Sequence, residues 1–376
     1  MLSRRIKSSA ATEKVLPKTE NSGVPVASSM LAAILGIGAV SAAAYIVEDV
    51  TASSVPPFHP KSQRFDQSSF LGRFSKMLLA CDPRLLFYTE AQVRESQKLL
   101  ESYKDQDSSM DRALWEAQRI VNAALHPDTG EVIPRPFRMS GYVPYNGPIC
   151  VAMVASTSTP ALLFWSWTNQ SQNALVNYFN RNASSPMSNE TLAKSYAAAV
   201  GSALLVAFGL ATFIQKKYPP AQAKALLRWV AFPSAVIASS LNCYIVRSPE
   251  IESGVPLQDS NGNIVLEGAT SQIAARRGVE STTASRAILQ APVYFLPPAL
   301  LSMGPLSRLV ASKPSLSVPL TTFLVLTAFG LGLPATVAIF PQMSEIPVKD
   351  LEERYHHLRD PVTQQPYTTL FYNKGL

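Results

Sequence analysis

Residues 139–180 contain no Asp, Glu, Lys or Arg, and residues 314–344 are uncharged as well. Uncharged runs of that length, rich in Val, Leu, Ala and Phe, constrain the fold more than any motif in the chain. A membrane-spanning helix needs about 20 mostly apolar residues to cross the hydrocarbon core. Five segments meet or approach this length: residues 143–167, 195–215, 229–246, 287–307 and 318–340. A soluble domain is typically about 25% charged, whereas this chain of 376 residues is 16% charged and 47% hydrophobic. That balance excludes an ordinary soluble enzyme, a disordered chain and a disulfide-rich secreted module. The expected fold class is all-α, a multi-span transmembrane bundle of about five spans with a small soluble helical N-terminal domain.

Cysteine adds little. The three cysteines, Cys81, Cys150 and Cys243, form no CxxC pair, and two lie in apolar runs where a thiol acts as a small hydrophobe. The net charge of +7 is not gathered into a basic cluster interleaved with aromatics, so it argues for membrane topology and against nucleic acid. Prolines within the spans (Pro148, Pro160, Pro233, Pro292, Pro319 and Pro334) free backbone carbonyls. In lipid such breaks persist where protein or a water-filled cavity satisfies those groups, as in the discontinuous helices of transporters. Structural kinks are the alternative.

With five spans, the region before the first span shares one side with Lys216, Lys217, Lys224, Arg228, Arg308 and Lys313, which have no acid among them. The positive-inside rule then predicts an inner location for residues 64–141 and an outer one for the C-terminus. The expected division is an extension over 1–63, a soluble helical domain over 64–141, the bundle over 142–344 with a polar loop at 247–286, and a polar tail over 345–376. Arg4, Arg5, Lys7, Lys14 and Lys18 among Ser, Thr and Ala suit a mitochondrial targeting segment. The uncharged run 21–47 reads either as a sixth span or as an anchor removed later. In the soluble domain, Thr89 and Gln92 spell a capping box for a helix running to about Tyr103, and a second amphipathic helix covers about 109–125. Residues 255–266, centred on Asp259-Ser-Asn-Gly-Asn263, read as a hairpin.

The catalytic inventory is nearly empty. There is no GxxxxGK[ST] loop, no HExxH and no nucleophile elbow, and four histidines are too scattered for a convincing metal site. Two constellations stand out. In His126-Pro-Asp128-Thr-Gly-Glu131 the turn formers fit a helix stop. The functional alternative places His126 and Asp128 at the mouth of a permeation path. In residues 169–183, Asn169, Asn173, Asn177 and Asn180 or Arg181 recur at spacings of three or four and would share one helical face. Carboxamides donate and accept, and Arg181 offers a fork for a carboxylate, so this face could recognise a zwitterion. Interhelical packing by hydrogen bonds is the alternative. Asn242 is a further polar group at membrane depth.

These residues resemble the sideroflexins. The likeness runs through FDQSSFLGRF (65–74), DPR (82–84), HPDTGE (126–131), FRMS (137–140), the Asn-rich stretch 169–183, SPEIESGVPLQDSNGN (248–263), FPQ (340–342) and YNKGL (372–376). GYVPYNGP (141–148) replaces a Pro-Gly-Gly-like run common in relatives, and the first 60 residues have no counterpart in short animal forms. The resemblance implies a mitochondrial inner-membrane protein without cofactor that carries serine or related small neutral amino acids for one-carbon metabolism. It implies no catalytic residue and no enzyme activity. Its alternative is an assembly factor tied to respiratory complexes or iron homeostasis. Expected partners are the amino acid, inner-membrane lipids, and either further copies of the chain or a respiratory complex.

Overall fold

In an apolar medium only a helix satisfies its backbone N–H and C=O groups from within its own segment. The uncharged runs are accordingly helical. The structure, a computed structural model, describes residues 26–60, 62–103, 110–126, 129–180, 189–260, 262–341, 343–361 and 363–374. In chain order the helices are α1 (Val26–Val50), α2 (Phe70–Ala80), α3 (Glu90–Glu101), α4 (Asp111–Ala124), α5 (Gly147–Ala155), α6 (Thr159–Phe179) and α7 (Asn189–Lys217). They continue as α8 (Pro220–Leu227), α9 (Ala231–Ser253), α10 (Gln272–Tyr294), α11 (Leu296–Ser302), α12 (Gly304–Ser312) and α13 (Ser317–Ile339). Val26–Val50, Ala193–Lys217, Pro220–Ser253 and Pro314–Ile339 are long and apolar enough to cross a membrane. The chain is an all-α, multi-pass membrane protein.

α13 holds the bundle together. On α1 the buried residues Ala32, Gly36, Val40 and Ala44 recur at every fourth position, a stripe small enough for two backbones to approach. A Cβ added to Gly36 would stand 2.8 Å from Leu326 Cβ, and one added to Gly330 would stand 2.0 Å from Val40 Cγ2. Since 36 and 40 meet 326 and 330 in that order, α1 and α13 run parallel. Gly147 of α5 also seats on Leu326, and Gly332 faces Pro292 of α10, each with room for no Cβ (2.3 Å). Val143, Met153, Val154, Ala235, Val293, Val325 and Phe329 fill the core between these helices.

The expected first and fourth spans are not single crossings. Residues 143–167 break at Ser156-Thr157-Ser158, where extended backbone separates α5 from α6 and Pro160 sits in the first turn of α6. No charge marks this break, because hydroxyl-bearing residues before a proline suffice to leave the helix. Residues 287–307 divide among α10, α11 and α12, with Pro297, Pro298 and the positive φ of Gly304 at the joints. α10 itself begins 15 residues earlier, at Gln272, within the stretch expected as a polar loop.

The α5–α6 hairpin reverses the parity of the chain. The C-terminal ends of α1 and α13 both meet the N-terminal helical domain: Arg84 pairs with Glu48 at 2.9 Å, and Arg73 Nε donates to the Ala338 carbonyl at 2.8 Å. The return of α6 reaches the same end, where Phe179 stacks on Phe137 at 4.6 Å. The C-terminal tail is there too, docked on the start of α10. Residues 64–141 and the tail therefore share one end of the bundle, correcting the expectation that they lie on opposite sides. The turn between α5 and α6, together with α8, α11 and α12, forms the other end, where Trp229 and Phe232 pack on Phe295. Lys216, Lys217, Lys224, Arg228, Arg308 and Lys313 flank this end with no carboxylate among them.

The local motifs outside the bundle form as expected. Thr89 and Gln92 make the capping box of α3, and α4 buries Leu114, Trp115, Ala117 and Ile120. The 255–266 segment is a turn with one bridge, Gln258 to Ile264, closed by the Asp259 side chain on the Asn263 N–H at 2.9 Å. Gln258 also bridges Phe371. The tail carries a small sheet, β1 (Met343–Pro347) antiparallel to β2 (Thr369–Asn373). Around it Leu257, Ala274, Ile346, Leu351, Tyr355 and Leu370 form a second apolar core. Glu352 locks this unit to α10. Its carboxylate accepts from the Gln272 N–H at 2.8 Å, the Ile273 N–H at 3.2 Å and the Ser271 hydroxyl at 2.7 Å.

Cysteines introduced at exposed Gln63 and Thr363 will react together with an impermeant maleimide from one face of sealed vesicles, and Lys224→Cys from the other. The native cysteines are buried and give little background. Reaction of Gln63→Cys and Thr363→Cys from opposite faces would refute the shared end. Gly330→Ala should cost about 1–3 kcal/mol by overpacking, and adding Val40→Ala should recover a large part of it in thermal melts of purified protein. Burial opposes ionisation of Glu352, but the Ser271 hydroxyl and the Ile273 and Gln272 amides outweigh it and hold the carboxyl below its ordinary 4.5. A depressed folded value contributes stability above the unfolded one and loses it as pH falls through the folded one. Hydrogen-exchange protection in the tail, corrected for the intrinsic pH dependence of amide exchange, should thus fall below about pH 4.5 and not on the alkaline side. Glu352→Ala should show the lower protection already at neutral pH.

Candidate functional site

Asn169 lies midway along α6 and is 2% exposed. A buried carboxamide must find partners or cost several kcal/mol. It finds them in neighbouring helices. The Tyr294 hydroxyl at the end of α10 donates to Asn169 Oδ1 at 3.2 Å, and Cys150 Sγ of α5 lies 4.0 Å from the same oxygen. Cys150 Sγ and Tyr294 Oη are 3.1 Å apart. Three helices thus converge on one neutral polar node with apolar surroundings, Val154 and Val293 among them. Ser166, three residues before Asn169, is enclosed with its Oγ unbonded.

The rest of the Asn-rich stretch divides along α6. Asn173 is half-buried one turn beyond Asn169. Further on, the polar groups hold α6 to the segment leaving the N-terminal domain. Gln172 Nε2 donates to the Pro136 carbonyl at 3.0 Å, and Asn180 Nδ2 to the Phe137 carbonyl at 2.9 Å. Asn180 is exposed and does helix-packing work, apart from the node. Arg181 and Asp128, with the side chain of Asn177, lie outside the described residues.

His126 sits in the turn after α4. Its Nδ1 accepts from the Thr129 N–H at 3.3 Å, while its backbone bonds to Glu131 and Gly130 close the turn after α4. Gly130 takes a φ of 67°, a conformation that favours glycine. His126 is part of the N-terminal domain and does not join Asn169. Asn242 sits half-buried on α9 beside buried Cys243. Of the residues expected at a site, Asn169 is buried in the node with Asn173 half-buried one turn away, while Asn180 and His126 bond elsewhere.

Sequence reasoning missed Tyr294 and Cys150, whose neighbours are so apolar that both read as filler. It also missed the segment 138–146. There a single π turn over Tyr142–Asn146 precedes α5, and Arg138 Nη1, Ser140 Oγ and Asn146 Oδ1 are enclosed without a partner. π turns occur often at functional sites, and a buried polar atom without a partner calls for a ligand or water. Among the described residues no group of three His, Cys, Asp or Glu could hold a metal ion. A surface cavity of about 320 Å³ between Arg84, Phe87, Tyr88, Gln92 and Arg119 lies outside the bundle. Its arginines are already paired with Glu48, Asp82 and Glu116.

A family model described as Sideroflexins matches residues 59–376. The chain is 42% identical to Sideroflexin-5 of Homo sapiens over 331 residues, covering 86% of this chain and 94% of that protein. It is 33% identical to Sideroflexin of Dictyostelium discoideum, covering 87% of this chain and 100% of that one. Against Sideroflexin-1 of Homo sapiens the identity is 31%, covering 85% and 98%. No solved structure matches the chain. With its family model spanning five-sixths of its length and its sequence aligned along nearly the whole of these relatives, the chain belongs to the sideroflexin family.

Proposed function

We propose that this sideroflexin carries small neutral amino acids, serine foremost, across the mitochondrial inner membrane, and is not an enzyme. One observation carries the reading: the enclosed, uncharged node of Asn169, Tyr294 and Cys150, built from three different helices. Two of those helices are interrupted, α5 by the break before α6 and α10 by the break before α11. A site at the junction of broken helices can open to either end by small shifts of the segments about their joints. Its neutral donors and acceptors suit a hydroxyl-bearing zwitterion better than a multiply charged solute.

The charge pattern supports one orientation. Basic residues without acids mark the end formed by α8, α11 and α12, so the positive-inside rule assigns that end to the matrix. The N-terminal domain and the tail then face the intermembrane space. The targeting-like composition of the first 20 residues supports a mitochondrial address. Serine passing inward would supply one-carbon metabolism.

In proteoliposomes, Asn169→Ala should lower labelled-serine uptake at least tenfold, while Asn180→Ala should leave it within about twofold, given that the first loses a buried polar partner and the second a surface packing bond. Both variants should elute as the wild type does on size exclusion. Wild-type protein that is folded, inserted and inert toward serine, alanine and cysteine would overturn the transport reading in favour of the assembly role.

A further inference from the structure

α10 carries a polar stripe of which the node uses only the last member. Arg286, Gln290 and Tyr294 recur at every fourth position and so lie along one side of the helix. Tyr294 ends on Asn169 and Cys150. Arg286 stands two turns earlier, about 12 Å along the axis. Its Nε is enclosed without an acceptor. Among the described residues no carboxylate pairs with its guanidinium. Arg286 and Gln290 are both half-buried on α10, with the Arg286 Nε turned into the protein. Thr283, one turn before it, is likewise enclosed with its hydroxyl unbonded.

An arginine keeps its charge in proteins, and a charge among packed membrane helices is costly unless something answers it. One turn before it Thr282 meets Arg247, whose charge is already matched by Glu250, and residues 281–344 contain no acid. Among the described residues no carboxylate answers Arg286, and one from a ligand could. A planar guanidinium fork matches a carboxylate in two parallel hydrogen bonds. We propose that Arg286 is a carboxylate-binding station on the substrate path, one helical turn from Gln290 and distinct from the Asn169 node. A small amino acid held there would reach Gln290, about 6 Å along the helix, but not Asn169. The two are successive stops, with Arg286 nearer the end that bears the N-terminal domain. This station rests on the transport reading for its substrate, while carboxylate binding itself can be tested without it.

The test compares wild type, Arg286→Gln and Arg286→Lys, each purified at full length and reconstituted. Labelled serine is the probe, with alanine, ethanolamine and citrate as competitors; ethanolamine keeps the ammonium and hydroxyl and lacks the carboxylate. Loss of a charged, two-point contact should raise the KM of Arg286→Gln roughly tenfold or more, with Arg286→Lys in between. Alanine should compete in the wild type and ethanolamine should not. Unchanged KM in both variants, or ethanolamine competing as well as alanine, overturns the station and leaves transport standing. If Arg286→Gln fails to fold, an unchanged KM in Arg286→Lys has the same force, because a point charge cannot reproduce the fork. If the wild type transports nothing, the transport reading falls and thermal melts with serine or citrate decide the rest. A carboxylate-dependent rise in melting temperature that is lost in the variants upholds the station, and its preference between serine and citrate names the class of ligand. Equal melts in all proteins overturn it.

Discussion

The bundle depends on how closely helices can approach α13. Lipid tails are as apolar as leucine, so burying hydrophobic area does not draw membrane helices together, and contact quality must. Around α13 that contact is made at glycines: Gly36 and Gly147 press on Leu326, Gly330 receives Val40, and Gly332 receives Pro292. Each would collide if it carried a Cβ. The same helix thus sets the positions of α1, α5 and α10. Since α5 and α10 deliver Cys150 and Tyr294, the tight apolar contacts decide where the polar node stands.

Position along the bundle also explains why interrupted helices are tolerated. An α-helix in lipid cannot leave backbone groups exposed. Here the breaks at 156–158 and after Tyr294 fall at the end of the bundle formed by α8, α11 and α12: Thr157, Ser158, Phe295 and Leu296 are exposed there, while Phe295 still lies against Trp229 and Phe232. The break between α5 and α6 has a global consequence out of proportion to its size. It adds one reversal, and one reversal moves the whole N-terminal domain to the end that holds the tail. The Glu352 clamp on the start of α10 and the Arg73 bond to the end of α13 then act at one face.

What could be read from the sequence was local or compositional. The capping box at Thr89 needs only four residues, and the helical class needs only the uncharged runs, so both were legible. Asn169 was legible because a carboxamide at membrane depth is unusual among apolar neighbours. The α5–α6 break was hidden because Ser156, Thr157 and Ser158 are as uncharged as the helices beside them, and span counting relies on charge. The tail sheet was hidden because its partners are distant in sequence, with Gln258 bridging Phe371. Arg286 was misread for a related reason. Its charge suggested a loop, when the spacing to Gln290 and Tyr294 already placed it on a helix running inward.

The interior that results is asymmetric in charge. Residues 139–180 and 281–344 supply α5, α6, α13 and the second half of α10 without one carboxylate, yet they include Arg286. A cation in that interior would meet a like charge with no acid to offset it, which is a selective penalty. On the transport proposed above, a zwitterion would meet a fork for its carboxylate and, among the described residues, neutral acceptors for its ammonium, such as the enclosed Asn146 Oδ1. Neutral acceptors hold an ammonium less tightly than a carboxylate would, and a carrier must release what it binds. An interior in which no described carboxylate answers Arg286 would then favour passage of a small acid or zwitterion over its permanent capture.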